Sequence, residues 1–408
     1  MLSLDDCIKS AFQNNLDIRS TDNLLHSTQV ARDEIDRTGL PQARLNGKAM
    51  IAPYSNHFGY DPAITDGGQF SAQIDIQTPL YDGGARSLKT DKLTIEVNRL
   101  HTERQRTERD LRYSVTLSFI DVMEAEKNLK LQQQRMEDLS DYHALVNRLF
   151  HGGSVNYGDV LKIEVTLENG KLSVQKAFQT YTEAKITLAE TMGTPSDTTF
   201  NISGTFEIPD SVEVDSLLHN NTIDSAHLLD LQIADFSIQQ NLLDIELARS
   251  ERLPSISLGG DVGLLTSADN IRLPSDQRVS MIGYSLGISI ENLLFNWGMT
   301  DLRVQQRQLD AEHAQLNYQQ QRRTLTADVE RLHNQIIGAM SQLGTIDHAV
   351  KISQDNYTYT KALYARSGTS ALEVLAAEQL LADNRLTSLQ TNANLRRLLA
   401  KAEQLFTH

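Results

Sequence analysis

Eleven histidines, a single cysteine and 53 carboxylates are the side chains from which this 408-residue chain could build a reactive site. Metal ligation calls for imidazoles at helical spacing or for Cys/His clusters. No two histidines stand four apart, no H-E-x-x-H occurs, and His143 and His151 are eight apart. Cys7 alone excludes an internal disulfide framework and any multi-cysteine metal site. No glycine loop of the phosphate-cradling kind and no nucleophile elbow is present. The expectation is no cofactor, no metal and no catalysis. Four further residues invite attention. Asp82 and Asn296, each followed two positions later by a glycine (Gly84, Gly298), read as N-caps at strand-to-helix turns rather than as ligands. Asp159 and Glu373 are acids in matching contexts, Asp159-Val160-Leu161 and Glu373-Val374-Leu375.

Those matches belong to a duplication with an offset of about 214 residues. Pro79-Leu80-Tyr81-Asp82-Gly83-Gly84 aligns with Leu293-Leu294-Phe295-Asn296-Trp297-Gly298, Leu149-Phe150 with Leu363-Tyr364, and Leu40-Pro41 with Leu253-Pro254. The expected division is a first repeat over 1–193, a Thr/Ser/Pro-rich linker over 194–214, and a second repeat over 215–408.

Within each repeat the hydrophobic period changes. Residues 70–77 and 281–290 alternate strictly, the second with Ile282, Tyr284, Leu286, Ile288 and Ile290 on one face and Gly283, Ser285, Gly287 and Ser289 on the other. Weaker strands precede them, one carrying Ala43, Leu45, Ala49 and Ile51, the other Ile256, Leu258, Val262 and Leu264. One hairpin per repeat is therefore expected, at about 42–79 and 255–292, each with a Gly/Pro/Asp-rich loop. The remainder reads as helix. Leu111, Val115, Ser118, Val122, Ala125 and Leu129 form a narrow heptad seam, as do Leu325, Val329, Leu332, Ile336, Ala339, Leu343, Ile346 and Val350. The first long helix has no internal glycine or proline and would extend about 100 Å at 1.5 Å per residue. The second is expected to be interrupted at Gly338 and Gly344. Each turns at a small-residue tip, 151–155 or 366–370, and a shorter helix returns.

A formal net charge of −15 argues against a nucleic-acid partner. No apolar run reaches transmembrane-helix length. Met1-Leu2-Ser3-Leu4-Asp5-Asp6 lacks the basic and apolar regions of a secretory leader, which suits a cytoplasmic protein or a mature form without its signal peptide. Strands of about ten residues with unlike faces suit a membrane β-barrel. Four strands cannot close one, because the smallest membrane barrels have eight and an open edge in lipid is prohibitive. The strands are therefore expected to pair with those of sister chains, in a number that periodicity leaves open. A coiled-coil structural or adhesin-type surface protein without a pore is the alternative. The Gly/Ser against Ile/Leu/Tyr alternation weighs against it, since it separates a wet face from an oily one.

The turns Pro79–Gly84 and Leu294–Gly298, the opening Leu4-Asp5-Asp6-Cys7-Ile8-Lys9-Ser10-Ala11-Phe12-Gln13-Asn14-Asn15 and the closing Leu188-Ala189-Glu190-Thr191-Met192-Gly193 resemble the TolC-like outer-membrane efflux protein family over nearly the whole chain. The resemblance implies a mainly α fold with a membrane β-barrel part. A homotrimer would form a 12-stranded barrel continued by an α-helical barrel across the periplasm of a Gram-negative cell. It implies passive export in a tripartite efflux or type I secretion system, outer-membrane lipid around the barrel, a periplasmic adaptor (membrane fusion) protein, and an inner-membrane pump of RND, ABC or MFS type. The adaptor would meet the tips at Gly152, Gly153, Ser154, Ser367, Gly368 and Thr369. The hairpin loops at 56–66 and 267–276 would face outward, and Tyr81 and Trp297 would sit at the periplasmic edge of the barrel. Family members close the tunnel with acidic rings and polar latches. Glu373 falls on a ring acid, with Asp159 its first-repeat counterpart, and Tyr364 on a latch tyrosine. The second ring acid is Ala376 here, and the latch arginine position is Thr369, with Arg366 nearby. Three copies of Glu373 around a narrow tunnel would repel one another and attract cations.

Overall fold

The computed structural model describes residues 2–50, 69–195, 199–204, 228–267, 280–366 and 368–406. In chain order the elements are α1 (Leu4–Asn14), α2 (Leu16–Arg37), β1 (Gln42–Met50), β2 (Gln69–Asp82), α3 (Ala85–His151), α4 (Tyr157–Thr191), α5 (Leu229–Ser250), β3 (Ser255–Ser267), β4 (Ser280–Glu291), α6 (Met299–Tyr364) and α7 (Ala371–Phe406). The fold is mainly α with one small sheet. No described helix is long and apolar enough to cross a membrane.

Helix α1 starts at a capping box: Asp6 N–H donates to Ser3 Oγ, and Ser3 N–H donates to the Asp6 carboxylate. Helix α3 runs 67 residues and α6 runs 66. Contrary to the sequence expectation, α6 passes through Gly338 and Gly344 without a break. Each glycine costs about 1 kcal/mol relative to alanine. Around them Leu332, Ile336, Ala339 and Leu343 are buried against Leu395, Leu399 and Ala402 of α7. Each large side chain so buried contributes about 1.5–3 kcal/mol, so packing outweighs the backbone penalty.

The chain forms two compact units, each drawing segments from both repeats. The first comprises Met1–Thr21, Glu103–Gln232 and Gln320–His408. One of its clusters joins Cys7, Ile8 and Ala11 of α1 to Val115, Phe119 and Val122 of α3 and Leu188 of α4. Leu2 bridges in parallel to Ile202 beside it. The α3 seam from Leu111 to Leu129 is buried at every position the heptad selects, including Ser118, whose hydroxyl lies 3.2 Å from that of Thr191. A further cluster surrounds the helix tips.

The second unit comprises Asp22–Thr102 and Ile233–Gln319. Helix α5 is tied to the start of α3 by Lys92–Asp244 at 2.6 Å and by Gln240 Nε2 donating to Glu96 at 2.6 Å. This unit holds the sheet, antiparallel with its strands in the order β1-β2-β3-β4. The two hairpins, read as one per repeat, are one sheet: β2 pairs with β3 from Gln69↔Ser267 to Asp82↔Ser255, with a bulge between Pro79 and Tyr81. The bulge accommodates a proline inside a paired strand. The loops 56–66 and 268–276, linker residues 196–198 and 205–214, and Ser367 lie outside the described residues.

Candidate functional site

Register makes the sheet two-faced. Leu45 stands opposite Ile74, Ile74 opposite Val262, and Val262 opposite Tyr284, so one row crosses all four strands. Rows on the same face add Ile76, Leu258, Leu264, Ile282, Leu286, Ile288 and Ile290. These side chains have no cover: Tyr284 is 89% exposed and Leu286 80%. Contiguous bare apolar surface of this kind marks contact with a membrane or a protein. The opposite face carries Arg44, Asn46, Gln73, Asp75, Gln77, Ser257, Asp261, Ser285 and Ser289, with Gly259, Gly263, Gly283 and Gly287 between them. Its groups bond to one another. Asn46 and Gln73 amides donate to the Asp75 carboxylate, Gln77 to Ser257, and the Ser285 hydroxyl to Asp261. The outer edges of β1 and β4 have no strand partner among the described residues.

Of the two residues expected to cap the long helices, Asp82 does so with its side chain, whereas the Asn296 side chain instead donates to another side chain. In the first strand-to-helix turn, Asp82 accepts from Gly84 N–H at 3.1 Å and from Arg86 N–H at 2.9 Å, which satisfies a free donor at the start of α3. Gly83 and Gly84 both have positive φ, and a Cβ on Gly83 would stand 2.9 Å from the Ser250 carbonyl. In the second, Asn296 Nδ2 donates to Thr300 Oγ1 at 2.8 Å, and the Asn296 carbonyl accepts from Met299 N–H. The positive φ falls on Trp297 and Gly298. Trp297 is exposed and meets Phe295 edge-on at 4.9 Å.

At the first tip, Ser154 N–H donates to Leu149 O and Gly153 N–H to Phe150 O, with Gly153 at φ +74°. This is the Schellman ending that glycine favours. At the second, Gly368 N–H donates to Leu363 O at 3.0 Å. Gly152, Gly153, Ser154 and Gly368 are exposed, whereas the Thr369 hydroxyl is buried and has no hydrogen-bond partner among the described residues. Asp159 and Glu373 occupy the same position, the third residue of a returning helix. Asn156 Oδ1 accepts from Asp159 N–H at 3.1 Å, and Ser370 Oγ accepts from Glu373 N–H at 3.3 Å. An acid there also complements the helix dipole. Those two caps were missed in the sequence, although Asn-x-x-Asp and Ser-x-x-Glu before an apolar run are their signature.

Tyr364 is buried, edge-on to Tyr142 at 5.5 Å. Burial first, and then the Asp159 charge, push its pKa above the ordinary tyrosine value. Asp159 instead pairs with Lys162 at 3.2 Å, and Arg366 is exposed. The structure thus brings Asp159 and Tyr364 into one neighbourhood but does not bond them. Deeper in the tip region, Arg135 and Glu378 form a buried pair that the sequence reading did not select.

The family model described as outer membrane efflux protein matches residues 7–194 and 225–405. The chain belongs to the outer membrane efflux protein family. Solved structures share its fold. VceC, an outer membrane protein from Vibrio cholerae, superposes with a TM-score of 0.82 at 14% identity, over 99% of this chain and 95% of that one. CusC, described in terms of transmembrane channel formation, gives 0.80 at 18% identity, over 98% and 91%. The outer-membrane channel OprN gives 0.80 at 17%, over 99% and 89%. At these identities the likeness establishes the fold, the TolC-like one with its duplicated repeat. No curated protein matches the chain in sequence.

Proposed function

We propose that this chain is the exit duct of a tripartite efflux or type I secretion system. Three copies would close a 12-stranded barrel in the outer membrane, and their helices would line a passive conduit through the periplasm. The observation that carries this reading is the sheet: one face dominated by exposed Leu, Ile, Val and Tyr side chains, the other polar and glycine-floored, with no strand partner at either outer edge among the described residues. In lipid, free edges are tolerated only when closed on another chain. The β1 edge of one copy would meet the β4 edge of the next.

The helical tips would be the periplasmic end. Glu373 and Asp159 would supply acids around the opening, with Tyr364 and Arg366 as latch partners. The nearness of Tyr364 to the Asp159 charge supports this reading. The turns at Gly152, Gly153, Ser154, Ser367, Gly368 and Thr369 would receive a periplasmic adaptor that leads to an inner-membrane pump.

Planar-bilayer recording tests both levels. The wild-type protein should open discrete conductance steps with cation preference, and Glu373→Lys should weaken that preference. No steps would remove the duct. Steps with unaltered ion preference in the variant would remove Glu373 from the constriction.

A further inference from the structure

Between α3, α6 and α7, in the first unit, lies a cavity of about 20 Å³. Its lining includes Gln132, Arg135 and Asp138 of α3, Tyr357 of α6, and Glu378 and Arg385 of α7. Glu378 has only 6% of its side chain exposed, on a stripe otherwise made of Ala371, Val374, Ala377 and Leu381. Arg135 satisfies it through two bonds, Nε to Oε1 at 2.7 Å and Nη2 to Oε2 at 3.0 Å. The same Nη2 donates to Gln379 at 2.7 Å. Arg385 reaches across to Gln354 of α6. A buried pair of this kind is a poor source of stability, because desolvation offsets its attraction; its best-attested use is to fix register.

Two polar atoms at this junction have no protein partner among the described residues: the Tyr357 hydroxyl, on a residue 6% exposed, and Gln132 Oε1. Burial, followed by the charges of Asp138 and Glu378, pushes the Tyr357 hydroxyl well above the ordinary tyrosine range. The hydroxyl therefore stays protonated and is a donor without an acceptor. A buried donor and a buried acceptor left open are costly. A cavity needs roughly 10–15 Å³ of this kind of volume, and two or more polar partners, to hold a water.

We propose that this cavity holds one ordered water, accepting from Tyr357 and donating to Gln132 Oε1, and that the Arg135–Glu378 pair beside it is a positioning clamp that sets the register of α7 against α3. Glu378 lies five residues beyond Glu373 on the same helix, so this register places the first turn of α7 at the tip. A slip of one helical turn would move that turn by about 5.4 Å. The clamp deepens the exit-duct reading and rests on it only where conductance is the readout.

The full-length protein in lipid nanodiscs, imaged at a resolution that shows waters, should have density between Tyr357 Oη and Gln132 Oε1. A dry cavity there overturns the water. For the clamp, Arg135→Glu and Glu378→Arg are each expected to raise closed-state conductance at least tenfold. The double swap is expected to return it to within about twofold of wild type. Wild-type conductance in folded single variants overturns the clamp, because a merely structural role would change stability alone. Should either reversal fail to fold, Glu378→Gln keeps the shape and removes the charge. It should raise amide exchange in residues 131–138 and 374–386 at least threefold, and unchanged exchange counts against the proposal. Exchange and imaging need no pore. A wild-type protein without conductance would therefore sink the duct reading while these two measurements still decide the clamp.

Discussion

Replacing Leu286 by arginine tests the assignment of the sheet faces. Leu286 lies mid-way along β4, is 80% exposed, and pairs in register with Gly260, so no neighbouring side chain shields it. If this face meets lipid, arginine there places a charge near the bilayer midplane, at a cost of about 2–4 kcal/mol per chain. At about 1.4 kcal/mol per factor of ten, the folded-to-unfolded ratio falls roughly 30- to 700-fold. The control is Ser289→Arg, three residues on and facing the opposite way, where arginine enters a wet lumen and should change stability by no more than about 0.5 kcal/mol. The assay is urea unfolding of both variants in phospholipid vesicles, followed by tryptophan emission, for which the exposed Trp297 is the only reporter. Equal costs for the two variants, or a larger cost for Ser289→Arg, would refute the face assignment.

Other expectations follow from local geometry. Gly153→Ala should cost about 1–2 kcal/mol, since its φ is +74° but its Cβ would meet nothing. Gly193→Ala should cost more in the same thermal-melt assay, because with the same φ its Cβ would fall 2.6 Å from Asn14 Cβ. Asn156→Ala and Ser370→Ala should each lower stability by about 1 kcal/mol through loss of a cap, and the matching acidic and serine substitutions should restore most of it. Cys7 is buried, and desolvation raises its pKa from 9.0 to about 11. Its thiol is therefore expected to react with a thiol reagent at pH 8 only as fast as the protein opens. Below pH 9 the thiol is protonated whether folded or not. Between about 9 and 11 the unfolded chain loses that proton first, so this group's contribution to stability declines across that window. A titration of melting temperature against pH in wild type and Cys7→Ala isolates it.

The periodic parts of the architecture were legible. A period of two marked Ile282 to Ile290, and heptad spacing marked Leu111 to Leu129, because each pattern repeats a single burial requirement along one element. The join between β2 and β3 was not legible, since two strands some 180 residues apart carry no local mark of their pairing. Gly338 and Gly344 misled for the complementary reason: their penalty is local, and the packing of Ile336 and Leu343 that overrides it comes from α7. The tip acids were found through repeat symmetry, but their caps, Asn156 and Ser370, lay outside the matched triplets. Glu378 escaped notice because an acid on a helix normally reads as a solvated face, and only the approach of Arg135 from 243 positions away makes its burial tolerable.

The account depends most on the claim that this four-stranded sheet is one third of a closed barrel. Electron microscopy of the detergent-extracted protein, averaged down and across the particle axis, tests that claim directly. The account predicts a threefold, hollow particle with twelve strands at one end, β1 of each copy paired with β4 of its neighbour. A monomer, a solid rod, or a sheet whose edges stay unpaired would contradict it.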